Sequence, residues 1–160
     1  MSTGSANAVN SVVRKNQSVT VYHLGPKDQD LRALADILNR SEWDMCPNTQ
    51  WTLSASDDAP AAATRLPKQD VPIVLCDGES LAGSWKDVLA QVGTFLAPPM
   101  LIVASRIADE YLWAEALNLG AYDVLAKPYH AAEVERVLSM AWLHWMNRRS
   151  HVAAQFAQAC

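Results

Sequence analysis

VPIVLCD, residues 71–77, is a continuous apolar run that ends in an acid. It is too short for an independent helix, and an unbroken apolar strand suits a sheet covered on both faces. Working outward, PPMLIVAS (98–105) repeats the pattern, and AYDVLAKPY carries a last short strand at 122–126. SVTVYHL (18–24) is rich in β-branched residues and stops at Gly25-Pro26. A further strand fits 50–53, after which SASDDAP supplies turn and cap material for an Ala-rich helix at 59–65.

Helical spacing fills the intervals. Leu31, Leu34 and Leu38 share one face. Ser84 and Asp87 form a capping box ahead of an apolar stripe through Trp85, Val88, Leu89, Val92 and Leu96. The stretch 108–120 reads as a helix closed by Gly120. His130 with Glu133 opens a final helix bearing Val134, Val137, Leu138 and Ala141. Five strands alternating with five helices predict an α/β fold: an open, doubly wound parallel sheet with right-handed crossovers. In such sheets the site lies at the carboxyl ends of the strands, which selects His23, Leu24, Asp77, Ser105 and Lys127.

Composition narrows the classes. The chain has 160 residues, 50% of them apolar and 19% charged, which is ordinary for one globular domain that needs no staples. Thirteen Lys and Arg against 17 Asp and Glu give a net charge of −4 with no basic stripe, so no nucleic-acid partner is expected. No apolar run reaches membrane-spanning length, and MSTGSANAVNSVVRKN lacks a signal-peptide core, so no membrane association and a cytoplasmic location are expected. Cys46, Cys76 and Cys160 form no CxxC pair and read as thiols, Cys76 as a small core residue. The predicted organisation is a disordered tail at 1–17, a domain at 18–147, and a helix extension or frayed tail at 148–160.

Over roughly 18–145, VPIVLCD with Asp77, PPMLIVAS with Ser105 and LGAYDVLAKPY with Lys127-Pro128 resemble the receiver domains of two-component response regulators. The resemblance implies a flavodoxin-like sheet of order 2-1-3-4-5 and a cis Lys127-Pro128 peptide bond that orients the lysine. It implies a phosphorelay role, with Asp77 as phosphoacceptor and Ser105 and Lys127 as phosphoryl-binding groups. A histidine kinase or phosphotransfer protein would be the partner.

The residue types suit that chemistry independently. A carboxylate can act as a nucleophile toward an activated phosphoryl group. Lys127 can neutralise phosphoryl charge as a point cation, and Ser105 can hydrogen-bond a phosphoryl oxygen.

The first strand departs from the family, whose two adjacent acids hold magnesium; this chain has His23-Leu24. Magnesium requires about six hard oxygen ligands, so weak or absent Mg²⁺ binding is expected, with Asp77 and Glu79 the carboxylates left to hold it. Asp28 and Asp30 fall in the first turn of a helix, where acids complement the macrodipole. Leu81 replaces the family's proline four residues past the phosphoacceptor, and Val124 stands at its aromatic switch position. Tyr122, expected on the same face as Val124 by strand alternation, is a candidate substitute. His130, His144 and His151 lack metal-ligand spacing on one helix face.

The segment VERVLSMAWLHWMNRRSHVAAQFAQA can run helical without Gly or Pro. Trp142, Trp145 and Met146 widen its core stripe, which is read either as a partner surface, including a homodimer through this helix, or as indoles packed on the fifth strand with a frayed end. A signalling receiver, not an enzyme, is therefore the first expectation, and a pseudo-receiver that binds partners without phosphorylation is the second. A flavin or nucleotide enzyme on this sheet lacks support, because neither GxGxxG nor a P-loop is present.

Overall fold

The computed structural model describes residues 16–40, 43–79 and 84–159. Residues 1–15, Leu81 and Cys160 lie outside the described residues. The strands are β1 (Gln17–Leu24), β2 (Thr49–Ser56), β3 (Ile73–Asp77), β4 (Met100–Ser105) and β5 (Asp123–Ala126). The helices are α1 (Gln29–Leu38), α2 (Ala59–Arg65), α3 (Trp85–Val92), α4 (Glu110–Leu119) and α5 (Ala131–Gln158), with a short 3-10 turn at Leu66–Lys68. All strand pairs are parallel, in the order β2-β1-β3-β4-β5. This is the doubly wound parallel α/β sheet that the alternating pattern predicts, in the flavodoxin-like order that the resemblance implies.

The unbroken apolar run of β3 has a direct cause. Ile73 and Leu75 enter one core with Leu34, Leu38, Val134 and Leu138, while Val74 and Cys76 enter a second with Ala62, Val88, Val92 and Ala116. Alternate side chains thus face helices on opposite sides, and neither set meets water. Each such aliphatic side chain contributes about 1.5–3 kcal/mol on burial, so the central strands hold the five strand ends in fixed register.

Local signals set the helix ends. Asp28, Asp58 and Asp109 each accept a backbone N–H at an N-cap, and Gly120 closes α4 in the left-handed conformation at φ 105°. Ser84 caps α3, but its side chain accepts from Lys86 N while Asp87 N donates to the Ser84 carbonyl, so the capping-box bond from Asp87 N to the Ser84 hydroxyl is not the one made. His130 occupies the N-cap position of α5 without a side-chain cap bond.

Three expectations are corrected. β2 is longer than 50–53, because its edge pairing with β1 continues through the polar Ser54-Ala55-Ser56. Leu96 is not on the α3 stripe: the helix ends at Val92, Gly93 caps it, and Leu96 is 81% exposed. Of the two readings left open for the indoles, packing is the one seen: Trp145 is buried and stacks with the half-buried Trp142. Tyr122 precedes β5, packs against the α1/α5 core and bonds His144 Nδ1 at 2.7 Å, whereas Val124 belongs to the opposite core. Strand alternation does not relate these two residues because position 122 lies outside the strand. Cys46 and Cys76 are free and buried, and burial pushes the Cys76 thiol up to about 12.

Candidate functional site

Parallel register brings the chosen residues to one edge. Leu24 pairs with Cys76, Asp77 with Ala104, and Ser105 with Ala126, so His23, Asp77, Ser105 and Lys127 leave adjacent strand ends. Two glycines allow the chains to close up there. A β-carbon at Gly25 would lie 2.6 Å from the Asp77 β-carbon and 3.1 Å from His23 Cε1. Gly78 donates to Ala104 O at 2.8 Å, where a side chain would crowd that same carbonyl.

Asp77 is almost fully buried. Its Oδ2 forms an ion pair with the equally buried Lys127 ammonium, and its Oδ1 accepts from Glu79 N at 2.9 Å. The Lys127-Pro128 bond is cis, and Lys127 N donates to Ser105 O at 2.9 Å. Ser105 Oγ donates to Glu79 Oε1 at 2.6 Å and accepts from Ile107 N at 3.0 Å. Glu79 Oε1 also accepts from Arg106 N at 2.5 Å, and Glu79 Oε2 lies 3.7 Å from Lys127 Nζ. Partial burial opposes charge on Glu79. The hydrogen bonds from Ser105 and Arg106, with the Lys127 charge, outweigh that burial and the Asp77 repulsion, holding the carboxyl below its ordinary range.

All four predicted groups, Asp77, Ser105, Lys127 and Glu79, are thus linked by contacts, while His23 stands beside them. His23 is buried, and its Nδ1 has no hydrogen-bond partner among the described residues. Burial lowers its proton affinity, with Asp77 opposing and Lys127 reinforcing the shift. Leu24 is a core residue packed toward α2 and α3. Asp28 is the α1 N-cap, and Asp30 in the first turn pairs with Arg106 at 2.5 Å. The Arg106 N–H and the Gly25 approach were not singled out from sequence; Gly25-Pro26 signalled only a turn.

The residues at this edge do not fit magnesium. The β1 end offers a buried imidazole and an isobutyl group where oxygen ligands are needed, and Asp77 and Glu79 are engaged by Lys127, Ser105 and Arg106. Among the described residues no group of three or more His, Cys, Asp or Glu is placed to hold a metal ion.

No family model and no curated protein matches the sequence. Solved structures do match by shape. The signal receiver domain of an HD domain-containing protein from Pseudomonas fluorescens Pf-5 superposes with a TM-score of 0.70 at 21% identity, covering 89% of this chain and 98% of that one. The receiver domain of a sensor histidine kinase from Pseudomonas aeruginosa PAO1, described with magnesium in its active-site cleft, gives 0.62 at 16% identity, covering 78% and 98%. The beryllofluoride-activated NtrC4 receiver domain dimer gives 0.67 at 14% identity, covering 79% and 98%. The chain has the fold of a signal receiver domain. Among the described residues no helix is long and apolar enough to cross a membrane.

Proposed function

We propose that this protein is a response regulator receiver in a cytoplasmic two-component phosphorelay, accepting a phosphoryl group on Asp77 from a histidine kinase or phosphotransfer protein. The observation that carries the reading is the buried Asp77–Lys127 ion pair flanked by the Ser105 hydroxyl at adjacent strand ends. In the transfer, an Asp77 carboxylate oxygen attacks phosphorus and forms an O–P bond. The P–N bond to the donor imidazole breaks, and its electron pair stays on that imidazole. Lys127 offsets the negative charge on the phosphoryl oxygens, and the Ser105 hydroxyl orients one of them once it is available.

The test is incubation with acetyl phosphate followed by intact-mass measurement. Wild type gains one phosphoryl mass and Asp77→Asn does not; equal labelling of both rejects Asp77. A second reading, a pseudo-receiver that engages partners without phosphorylation, is favoured by the buried His23 and Leu24 at the end of β1. It stands if no donor labels the wild type. A homodimer through α5 is part of the proposal, supported by exposed Val152 and Phe156 on its outer half; light scattering of the full chain reads it directly.

A further inference from the structure

The Ser105 hydroxyl has one proton, and it is already given to Glu79. The neighbouring Arg106 N–H points at that same Glu79 oxygen, and Lys127 lies 3.7 Å from the other one. These donors and this cation converge on a carboxylate two residues beyond Asp77, whose own N–H anchors the loop to Asp77 Oδ1. A phosphoryl group attached to Asp77 is an oxyanion that must find its hydrogen bonds among groups within a few bond lengths of the carboxylate. The neighbouring donors and cation on the β4 and β5 sides are Ser105, Arg106 N–H and Lys127.

We infer that the Glu79 carboxylate is a built-in occupant of the oxyanion seat, and that an incoming phosphoryl group must displace it. The inference deepens the receiver reading and rests on it for the identity of the displacing group; the seat itself is defined by the hydrogen bonds. A tethered carboxylate competes at an effective concentration that dilute free anions do not match. Its hydrogen bonds are charge-assisted, and the downward shift of the Glu79 carboxyl agrees with an anion held by donors. Occupancy by Glu79 also satisfies Ser105 and Arg106 without a metal or a phosphoryl group, while Asp77 and Glu79 share the single Lys127 charge.

The alternative is that Glu79 merely staples two loops. The two are separated with the full-length chain, using inorganic phosphate as probe, read by the Arg106 amide resonance and by the thermal midpoint at matched ionic strength. Glu79→Ala should bind phosphate at least about tenfold more tightly than wild type, because two charge-assisted donors become available. Glu79→Gln, which keeps the shape and a neutral acceptor, should fall between, and it serves if the alanine variant folds poorly. Ser105→Ala should matter little to phosphate affinity in wild type and much in the Glu79→Ala background; additive effects would mean simple removal of negative charge and would overturn the inference. Labelling by acetyl phosphate separates the two levels. Tighter phosphate binding in Glu79→Ala without labelling of any variant supports the occupied seat and rejects the phosphoacceptor reading. Equal phosphate affinity with normal labelling of Asp77 overturns the occupant and leaves the receiver standing. Neither binding nor labelling in any variant overturns both.

Discussion

Gly25 and Asp77 lie so close that a β-carbon on the first would sit 2.6 Å from the β-carbon of the second. The backbone at Gly25 also has φ +156°, at the margin of what other residues adopt. Gly25→Ala should therefore displace the Asp77 side chain and cost about 1–3 kcal/mol, measured by urea unfolding. It should reduce acetyl phosphate labelling in parallel. An unchanged unfolding midpoint would show that the close approach is not a constraint.

The Asp77–Lys127 pair is buried on both sides, with side-chain exposures of 1% and 3%. Removing the acid strands the ammonium, which ordinarily costs roughly 3–5 kcal/mol. Glu79 at 3.7 Å gives partial compensation, so Asp77→Ala should fall at or below the lower end of that range. The double substitution Asp77→Ala with Lys127→Met should recover much of the loss. A double-mutant cycle in urea checks this, and additive losses would contradict a coupled pair.

Helix α5 divides into an inner half that builds the core and an outer half that does not. Trp145→Ala should cost about 3–5 kcal/mol by opening a cavity against the sheet-covering core. Phe156→Ala, at a position 62% exposed in the single chain, should change the stability of the monomer, measured at dilute protein, by less than about 0.5 kcal/mol. Chemical denaturation of both variants tests the division, and similar losses would place Phe156 in the core as well.

His23 supplies a pH dependence. Burial, against the pull of Asp77, holds its pKa below the ordinary 6.5, so the unfolded chain binds the proton more readily than the folded one. Stability then rises with pH across the window between the lowered pKa and 6.5, and falls on acidification through it. Unfolding midpoints measured from about pH 7.5 down to about pH 5.5 should decline for wild type and decline less for His23→Gln. Identical slopes would assign the effect to another group.

What the sequence disclosed follows from the range of the forces involved. The buried runs of β3 and β4 announce themselves because both faces are covered, and Asp77, Ser105 and Lys127 then fall at strand ends by counting. Caps were equally legible at Ser84 and Gly120, whereas Asp28, expected inside the first turn, is the N-cap that precedes it. Leu96 continues the helical period of α3 in the sequence, yet it lies past Gly93, where the helix has ended. Glu79 shows the same limit at the site. Its position two residues past Asp77 suggests a carboxylate near that acid, but its bonds to Ser105 and Arg106 come from the end of β4 and the residue after it, 26 and 27 residues away, and depend on β3–β4 register.

The replacement of oxygen ligands at the end of β1 makes the last prediction. A divalent ion here would rely on Asp77, which already neutralises Lys127, and on Glu79, which already serves Ser105. Wild type should therefore bind Mg²⁺ no more tightly than about millimolar. His23→Asp with Leu24→Asp should raise the affinity and the labelling by acetyl phosphate together. The two substitutions are not equal in cost: Leu24 is fully buried in the core on the α2/α3 side, so Leu24→Asp forfeits about 1.5–3 kcal/mol of apolar burial before any charge is counted. His23→Asp leaves that core intact and adds one carboxylate beside Asp77, which raises the pKa of both. The metal-free double variant should accordingly be less stable than wild type, and Mg²⁺ should restore part of the loss. Thermal midpoints of wild type, the His23→Asp variant and the double variant across a Mg²⁺ titration decide the matter. An equal Mg²⁺-dependent rise in all three would mean that Asp77 and Glu79 complete a metal site without the missing acids.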